Sequence, residues 1–286
     1  MAGDGDPEPA ALLVNGRPTG TIAVEDRGLL YGDGLFETVA VRGGRPCLWQ
    51  AHLGRLAAGA ARLGIPLPDP DLLRRESRLL LDGAGNAVLK VILTRGSGPR
   101  GYRAPVSPRP TRILIRYPAM PGPDHWLGPG VAVRLCSLRL GTNPALAGLK
   151  HLNRLEQVMA RSEWDDPDIA EGLLCDVGGR LIGGTMTNLF LVRDGRLLTP
   201  RVDQAGVAGT VRGRVLHHAG RLGIRCDQRR LHTGDLGRAD GAFLTNALTG
   251  CRPVSRVDAR ALDPASMPAE LLSQVQQETF RPEPEW

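Results

Sequence analysis

The stretch Leu149-Lys150-His151-Leu152-Asn153-Arg154-Leu155-Glu156-Gln157-Val158-Met159 constrains this chain more than any other. Of the 36 basic residues only two are lysines, Lys90 and Lys150. Surface charge is written in arginine, so each lysine calls for a reason. Leu152, Leu155, Val158 and Met159 recur at helical spacing and predict a helix with an apolar stripe, Lys150 at its start. Desolvation beside apolar residues disfavours an ammonium. A neutral amine is what a carbonyl-attacking lysine needs. A lysine at a helix end with its head in water is the competing reading, and spacing alone leaves both open.

With 286 residues and 42% hydrophobic content, the chain is long enough for one large or two medium domains. Aromatics make up only 4%, so the cores must be aliphatic. A formal charge of +6 suits anionic ligands. No basic block with interleaved aromatics supports a nucleic-acid role, and Gln228-Arg229-Arg230 reads as a solvated face. Cys47, Cys136, Cys175, Cys226 and Cys251 are scattered, with no Cys-x-x-Cys pair. That argues against a zinc site or a disulfide framework and for a reducing compartment. The acidic, Pro/Gly-containing residues 1–10 read as a disordered leader with no signal-peptide pattern. No apolar run approaches a membrane span. The expectation is a cytoplasmic protein with no membrane or nucleic-acid partner and no metal.

Residues 11–14 read as a strand turning at Asn15-Gly16, a hairpin signal. Gly28, Gly32 and Gly34 suggest backbone in close or left-handed geometry, with an ordinary glycine-rich turn as the plainer reading, before a strand over 36–41 that turns at Gly43-Gly44. Helices are predicted around 52–63, carrying Arg55, and over 72–81, followed by strands over 87–94 and 111–117. The loop from Arg95 to Tyr102 combines backbone amides with guanidinium groups, a natural carboxylate site. Pro118-Ala119-Met120-Pro121-Gly122-Pro123 reads as a linker. The domains are therefore set at 11–117 and 125–286, with 118–124 between them. In the second half, strands are expected at 131–135, 172–176, 188–192, 196–199 and 242–245. Gly209-Thr210 opens a helix whose free N–H groups form a phosphate site. The C-terminal residues from Ala269 give a last helix.

Taken together, these segments resemble the fold-type IV pyridoxal-phosphate enzymes, the family of branched-chain and D-amino-acid aminotransferases. The form of the runs from Lys150 to Gln157 and from Thr245 to Val254 resembles its lyase branch. The resemblance spans about 13–254. It implies a two-domain α/β (α+β type) fold with the active site between domains, pyridoxal 5'-phosphate as cofactor, and a homodimer. It implies conversion of 4-amino-4-deoxychorismate, a small dicarboxylate, to 4-aminobenzoate and pyruvate. Lys150 would form the Schiff base and move protons, with Thr38 or Lys150 as the acid for the leaving group. Arg55, Thr210 and Val211 would hold the cofactor phosphate, and Asn188 would lie beneath the ring. Ala247 stands where the aminotransferases have a phosphate-binding threonine. Tyr31, Arg100, Tyr102 and Asn246 would meet substrate, with Tyr31 or Arg100 serving the partner subunit's site.

One departure stands out. The family has a glutamate five residues before Asn188, which keeps the pyridine nitrogen protonated; here that position is Gly183. A weaker electron sink follows, unless water or another acid substitutes. Aromatisation drives the lyase reaction, so it should tolerate this loss better than transamination would. The alternatives are an aminotransferase of the same fold and a low-activity cofactor-binding relic.

Overall fold

The computed structural model describes residues 11–119, 128 and 130–286. They form two compact units. One holds residues 11–119 with His151–Asn153 and Pro282–Trp286; the other holds 128, 130–150 and 154–281. The expected leader, 1–10, lies outside the described residues. So does most of the expected linker, 118–124, of which Pro118 is the last residue of a strand.

The first unit contains β1 (Ala11–Val14), α1 (Arg27–Tyr31), β2 (Gly34–Arg42), β3 (Arg45–Pro46), α2 (Trp49–Leu63), α3 (Pro70–Leu81), β4 (Ala87–Thr94) and β5 (Thr111–Pro118). Its strands pair antiparallel in the order β1-β5-β4-β2-β3. Strand residues alternate in facing. Leu35, Glu37 and Val39 are buried on one side of β2, where α2 packs with Trp49, His52 and Leu56. Phe36 and Thr38 face the other side and are half-buried. Asn15 and Gly16 take positive φ, 51° and 77°, so the Asn-Gly turn forms. It closes on a single bridge, Val14 to Arg17, because β1 spends its pairing on β5; no hairpin follows. The glycine-rich segment is a short helix, α1, rather than a turn. The Asp26 carboxylate caps it at Gly28 N, and Gly32 ends it at φ 64°. A side chain at Gly28 would strike Thr94 Cγ2 at 2.2 Å. Five residues are too few for periodicity to reveal.

The second unit contains β6 (Val131–Leu140), α4 (Leu155–Arg161), β7 (Ile169–Asp176), β8 (Arg180–Gly184), β9 (Asn188–Arg193) and β10 (Arg196–Pro200). It continues through α5 (Thr210–Arg221), β11 (Cys226–Arg229), β12 (Leu231–His232), α6 (Thr233–Leu236), β13 (Gly241–Asn246), β14 (Gly250–Val257), β15 (Arg260–Ala261) and α7 (Ala269–Thr279). Among the described residues the sheet runs β11-β10-β9-β13-β14-β6-β7-β8-β12, with β15 on β14. One face buries Leu173, Leu181, Leu189, Leu191, Leu244 and Val254. On the other face Phe190 and Phe243 stack at 4.9 Å, and α5 and α7 pack against β13 and β14. The architecture is a mixed α+β fold, as the sequence implies.

The region of Lys150 differs from expectation. The helix starts only at Leu155. Its Leu155, Val158 and Met159 are 70%, 60% and 57% exposed, so the stripe points outward. Lys150 lies upstream in extended chain: Gly148 bridges Val207, and His151 bridges Leu35. Helical spacing identified a face correctly but not what the face meets.

Candidate active site

In the second unit the segment leading to Lys150 runs beside the segment leading into α5. Gly148 N donates to Gly206 O, and Ala208 N to Gly148 O, at 2.9 and 3.0 Å. Asn188 Nδ2 donates to Val207 O at 2.8 Å, fastening the start of β9 to the same segment. Thr210 and Val211 then open α5, whose N-cap Gly209 supplies no side-chain cap. A Cβ at Gly209 would lie 2.0 Å from Asn188 Oδ1. Thr245 stands opposite Asn188 in β13, and its buried hydroxyl has no hydrogen-bond partner among the described residues. β13 ends at Asn246. The Asn246 Oδ1 accepts from Leu248 N, Thr249 N and Thr249 Oγ1, so it shapes the turn holding Ala247. Buried Asn188 and Val211 and half-buried Lys150, Thr210, Asn246 and Ala247 thus belong to one connected neighbourhood.

The first unit gathers Tyr31, Arg100 and Tyr102. The Tyr31 hydroxyl accepts from Gly101 N at 3.2 Å, and its ring meets that of Tyr102 edge-on at 5.5 Å. Arg100 and Tyr102 are exposed. Arg55 lies elsewhere, on α2, with Nε 2.7 Å from Glu37 Oε1 and Nη2 bonded to Glu37 Oε2. Thr38 follows Glu37 on β2 and faces the opposite side of the sheet from Arg55, so these two are not brought together. Lys90 pairs in register with Thr38, and its ammonium lies 5.5 Å from the Phe36 ring centre.

Two acids here were not legible in the sequence. Glu37 is 2% exposed and takes both Arg55 and His52 Nδ1 (2.6 Å). Burial raises its pKa, but the Arg55 and His52 bonds and charges outweigh that and hold it at about 2. Glu171, 3% exposed, gathers the turn after β8. It accepts from Thr185 N, Thr185 Oγ1, Met186 N and Thr187 Oγ1. Both acids are separated in sequence from their partners, and no local spacing rule joins them.

A family model described as "Amino-transferase class IV" matches residues 34–257. The chain belongs to the class IV amino-transferase family. It is 36% identical to an aminodeoxychorismate lyase of Vibrio harveyi, over 86% of this chain and 91% of that one. It is also 32% identical to a putative branched-chain-amino-acid aminotransferase of Methanocaldococcus jannaschii, over 85% and 84%. The crystal structure of 4-amino-4-deoxychorismate lyase from Pseudomonas aeruginosa superposes with a TM-score of 0.87 at 43% identity, covering 93% of this chain and 98% of that one.

The cofactor of class IV amino-transferases is pyridoxal 5'-phosphate, and the residues of the second unit fit it. The uncapped α5 start offers free N–H groups and the positive end of a twelve-residue helix dipole to a phosphate. The missing Cβ at Gly209 leaves room for Asn188 Oδ1 at this helix start, and the Thr245 hydroxyl opposite Asn188 is an orphaned polar group. Gly183, on β8, pairs with Leu174 of β7, and a Cβ at Gly183 would lie 2.7 Å from Thr187 O. Gly183, in β8, thus leads directly into the turn that Glu171 holds. Among the described residues no cluster of His, Cys, Asp or Glu could hold a metal, and no helix is long and apolar enough to cross a membrane.

Proposed function

We propose that this class IV protein is a pyridoxal-phosphate-dependent lyase that converts 4-amino-4-deoxychorismate to 4-aminobenzoate and pyruvate. The observation that carries the reading is the likeness, over about nine-tenths of the chain, to two proteins named for that reaction. The cofactor, when bound, draws electrons from the carbon that carries the substrate amine. Thr210 and Val211 give backbone N–H groups to its phosphate, with Arg55 as the cationic partner. Asn188 and the turn at Asn246-Ala247 wall the site. Arg100, Tyr102 and Tyr31 receive the substrate carboxylates. Lys150 would hold the cofactor, and its amine would take the proton from the amine-bearing carbon of the substrate. The C–O bond to the enolpyruvyl group then breaks as the ring becomes aromatic. Thr38 or Lys150 returns a proton to the leaving group, which becomes pyruvate.

The protein is read as a homodimer, because α1 and α4 each expose large apolar side chains. The cytoplasm suits its free thiols. The test is the absorbance of protein loaded with pyridoxal phosphate, before and after borohydride, with peptide mapping and a coupled pyruvate assay. A visible band trapped on Lys150, with pyruvate released one for one with 4-aminobenzoate, is the expected result. No band, or an adduct on Lys90, would overturn the reading. The second reading, an aminotransferase, is favoured by the archaeal relative. Amino transfer from D- or branched-chain amino acids without pyruvate release would establish it.

A further inference from the structure

Arg27 carries no role in the reading so far, yet it is 4% exposed and makes more specific contacts than any residue named for substrate. Its Nε donates to Asp33 Oδ2 at 2.9 Å. Nη1 donates to Gly101 O at 2.9 Å and reaches Arg103 O at 3.5 Å, and Nη2 donates to Tyr102 O at 3.0 Å. The guanidinium also lies 4.8 Å from the centre of the Tyr31 ring, whose hydroxyl takes Gly101 N. One planar donor therefore draws three consecutive carbonyls inward. With those carbonyls turned in, Arg100, Tyr102 and Arg103 are left exposed on the outer side.

The anchor is itself fixed. The Asp33 carboxylate accepts from Arg27 and also from Arg95 Nε and Nη2. Burial raises the Asp33 pKa, but the bonds and charges from Arg95 and Arg27 outweigh it, so the carboxyl titrates below its ordinary range. Arg95 in turn caps the end of α2 through Leu63 O and Gly64 O. Gly98 passes so close that a Cβ there would meet Arg27 Cδ at 3.1 Å.

We propose that Arg27 is the positioning residue of the carboxylate-binding loop. It holds residues 100–103 in a preformed anion-receiving arrangement without touching substrate itself. The inference rests on the reading that Arg100 and Tyr102 meet the substrate carboxylates. Preorganisation of this kind improves binding rather than chemistry. It should therefore be visible in KM and not in kcat. Lysine cannot replace the residue, because one ammonium cannot span Asp33 and three carbonyls in a plane.

The experiment compares the cofactor-loaded protein with its Arg27→Lys, Arg100→Ala and doubly substituted forms. Two quantities are read: hydrogen exchange of the peptide spanning 98–104, and lyase kinetics. Arg27→Lys should speed exchange in that peptide at least about tenfold and raise KM about tenfold. It should leave kcat within about twofold and the cofactor band on Lys150 intact. In the Arg100→Ala background it should add little, because the residue it positions is already gone. If Arg27→Lys does not fold, Asp33→Asn takes its place with the same expectations. Unchanged loop exchange overturns the inference. So does a loosened loop with unchanged KM, or a full further KM increase on top of Arg100→Ala. Absence of lyase turnover by the unaltered protein would instead overturn the proposed function and the KM half of the inference with it; the exchange arm needs no substrate and separates the two failures.

Discussion

Glu37 lies buried at the middle of β2, where an isolated carboxylate would tend to stay protonated. The bonds and charges of Arg55 and His52 reverse that and depress its pKa from 4.5 to about 2. The folded value lies below the unfolded one, so the stabilisation is fully present above about pH 4.5 and is lost as pH falls toward 2. The shift corresponds to roughly 3 kcal/mol at neutral pH. Glu37→Gln should lower Tm by several degrees at pH 7 and flatten the loss of stability between pH 4.5 and 2; circular-dichroism melts across that range are the check. Parallel curves for the two proteins would show that the pair contributes nothing. At this scale rarity singles Lys150 out among the arginines of the sequence. It was not legible for Glu37, whose partners lie on a different element.

The turn between β8 and β9 shows how one element constrains a site residue. Glu171 binds Thr185, Met186 and Thr187, and the chain then enters β9 at Asn188, whose amide reaches Val207 beside the start of α5. Restoring a glutamate at Gly183 would put its Cβ 2.7 Å from Thr187 O, a backbone atom that cannot step aside without moving the turn. Gly183→Glu is therefore expected to cost about 1–3 kcal/mol of stability. It should weaken cofactor binding instead of repairing it, as read by thermal melts and a pyridoxal-phosphate titration; tighter binding with an unchanged Tm would refute this. Gly209→Ala acts on a neighbouring contact, since its methyl would displace Asn188 Oδ1 from 2.0 Å. The cofactor Kd should rise on the order of tenfold, about 1.4 kcal/mol, with little change in the melting of the cofactor-free protein. Most strands, and the turn at Gly43-Gly44, were legible because alternation and positive-φ residues mark them. The helix α1 was not, because its stability comes from the Asp26 cap and from close packing on Thr94 rather than from a repeating pattern.

At the scale of the whole molecule, α1 exposes Leu29 (61%) and Leu30 (51%), and α4 exposes Leu155, Val158 and Met159. The spacing on α4 is the one that reads in sequence as an inward stripe. The pattern is real, but periodicity names a face and cannot say whether the chain's own core or a second chain covers it. Large exposed apolar groups at helical spacing are expected to be buried by association. A second copy fits that need by symmetry, since one patch can meet its own image. Sedimentation at micromolar concentration should give twice the chain mass of 30.6 kDa. Leu155→Glu combined with Val158→Glu should shift the protein to a monomer while its circular-dichroism spectrum is retained, because neither side chain is part of the described core. Lyase activity should fall with the dimer fraction if residues such as Tyr31 or Arg100 act across the interface, and should be unaffected if each chain completes its own site. A monomer in the unaltered protein at those concentrations would remove association as the reason for the outward stripe.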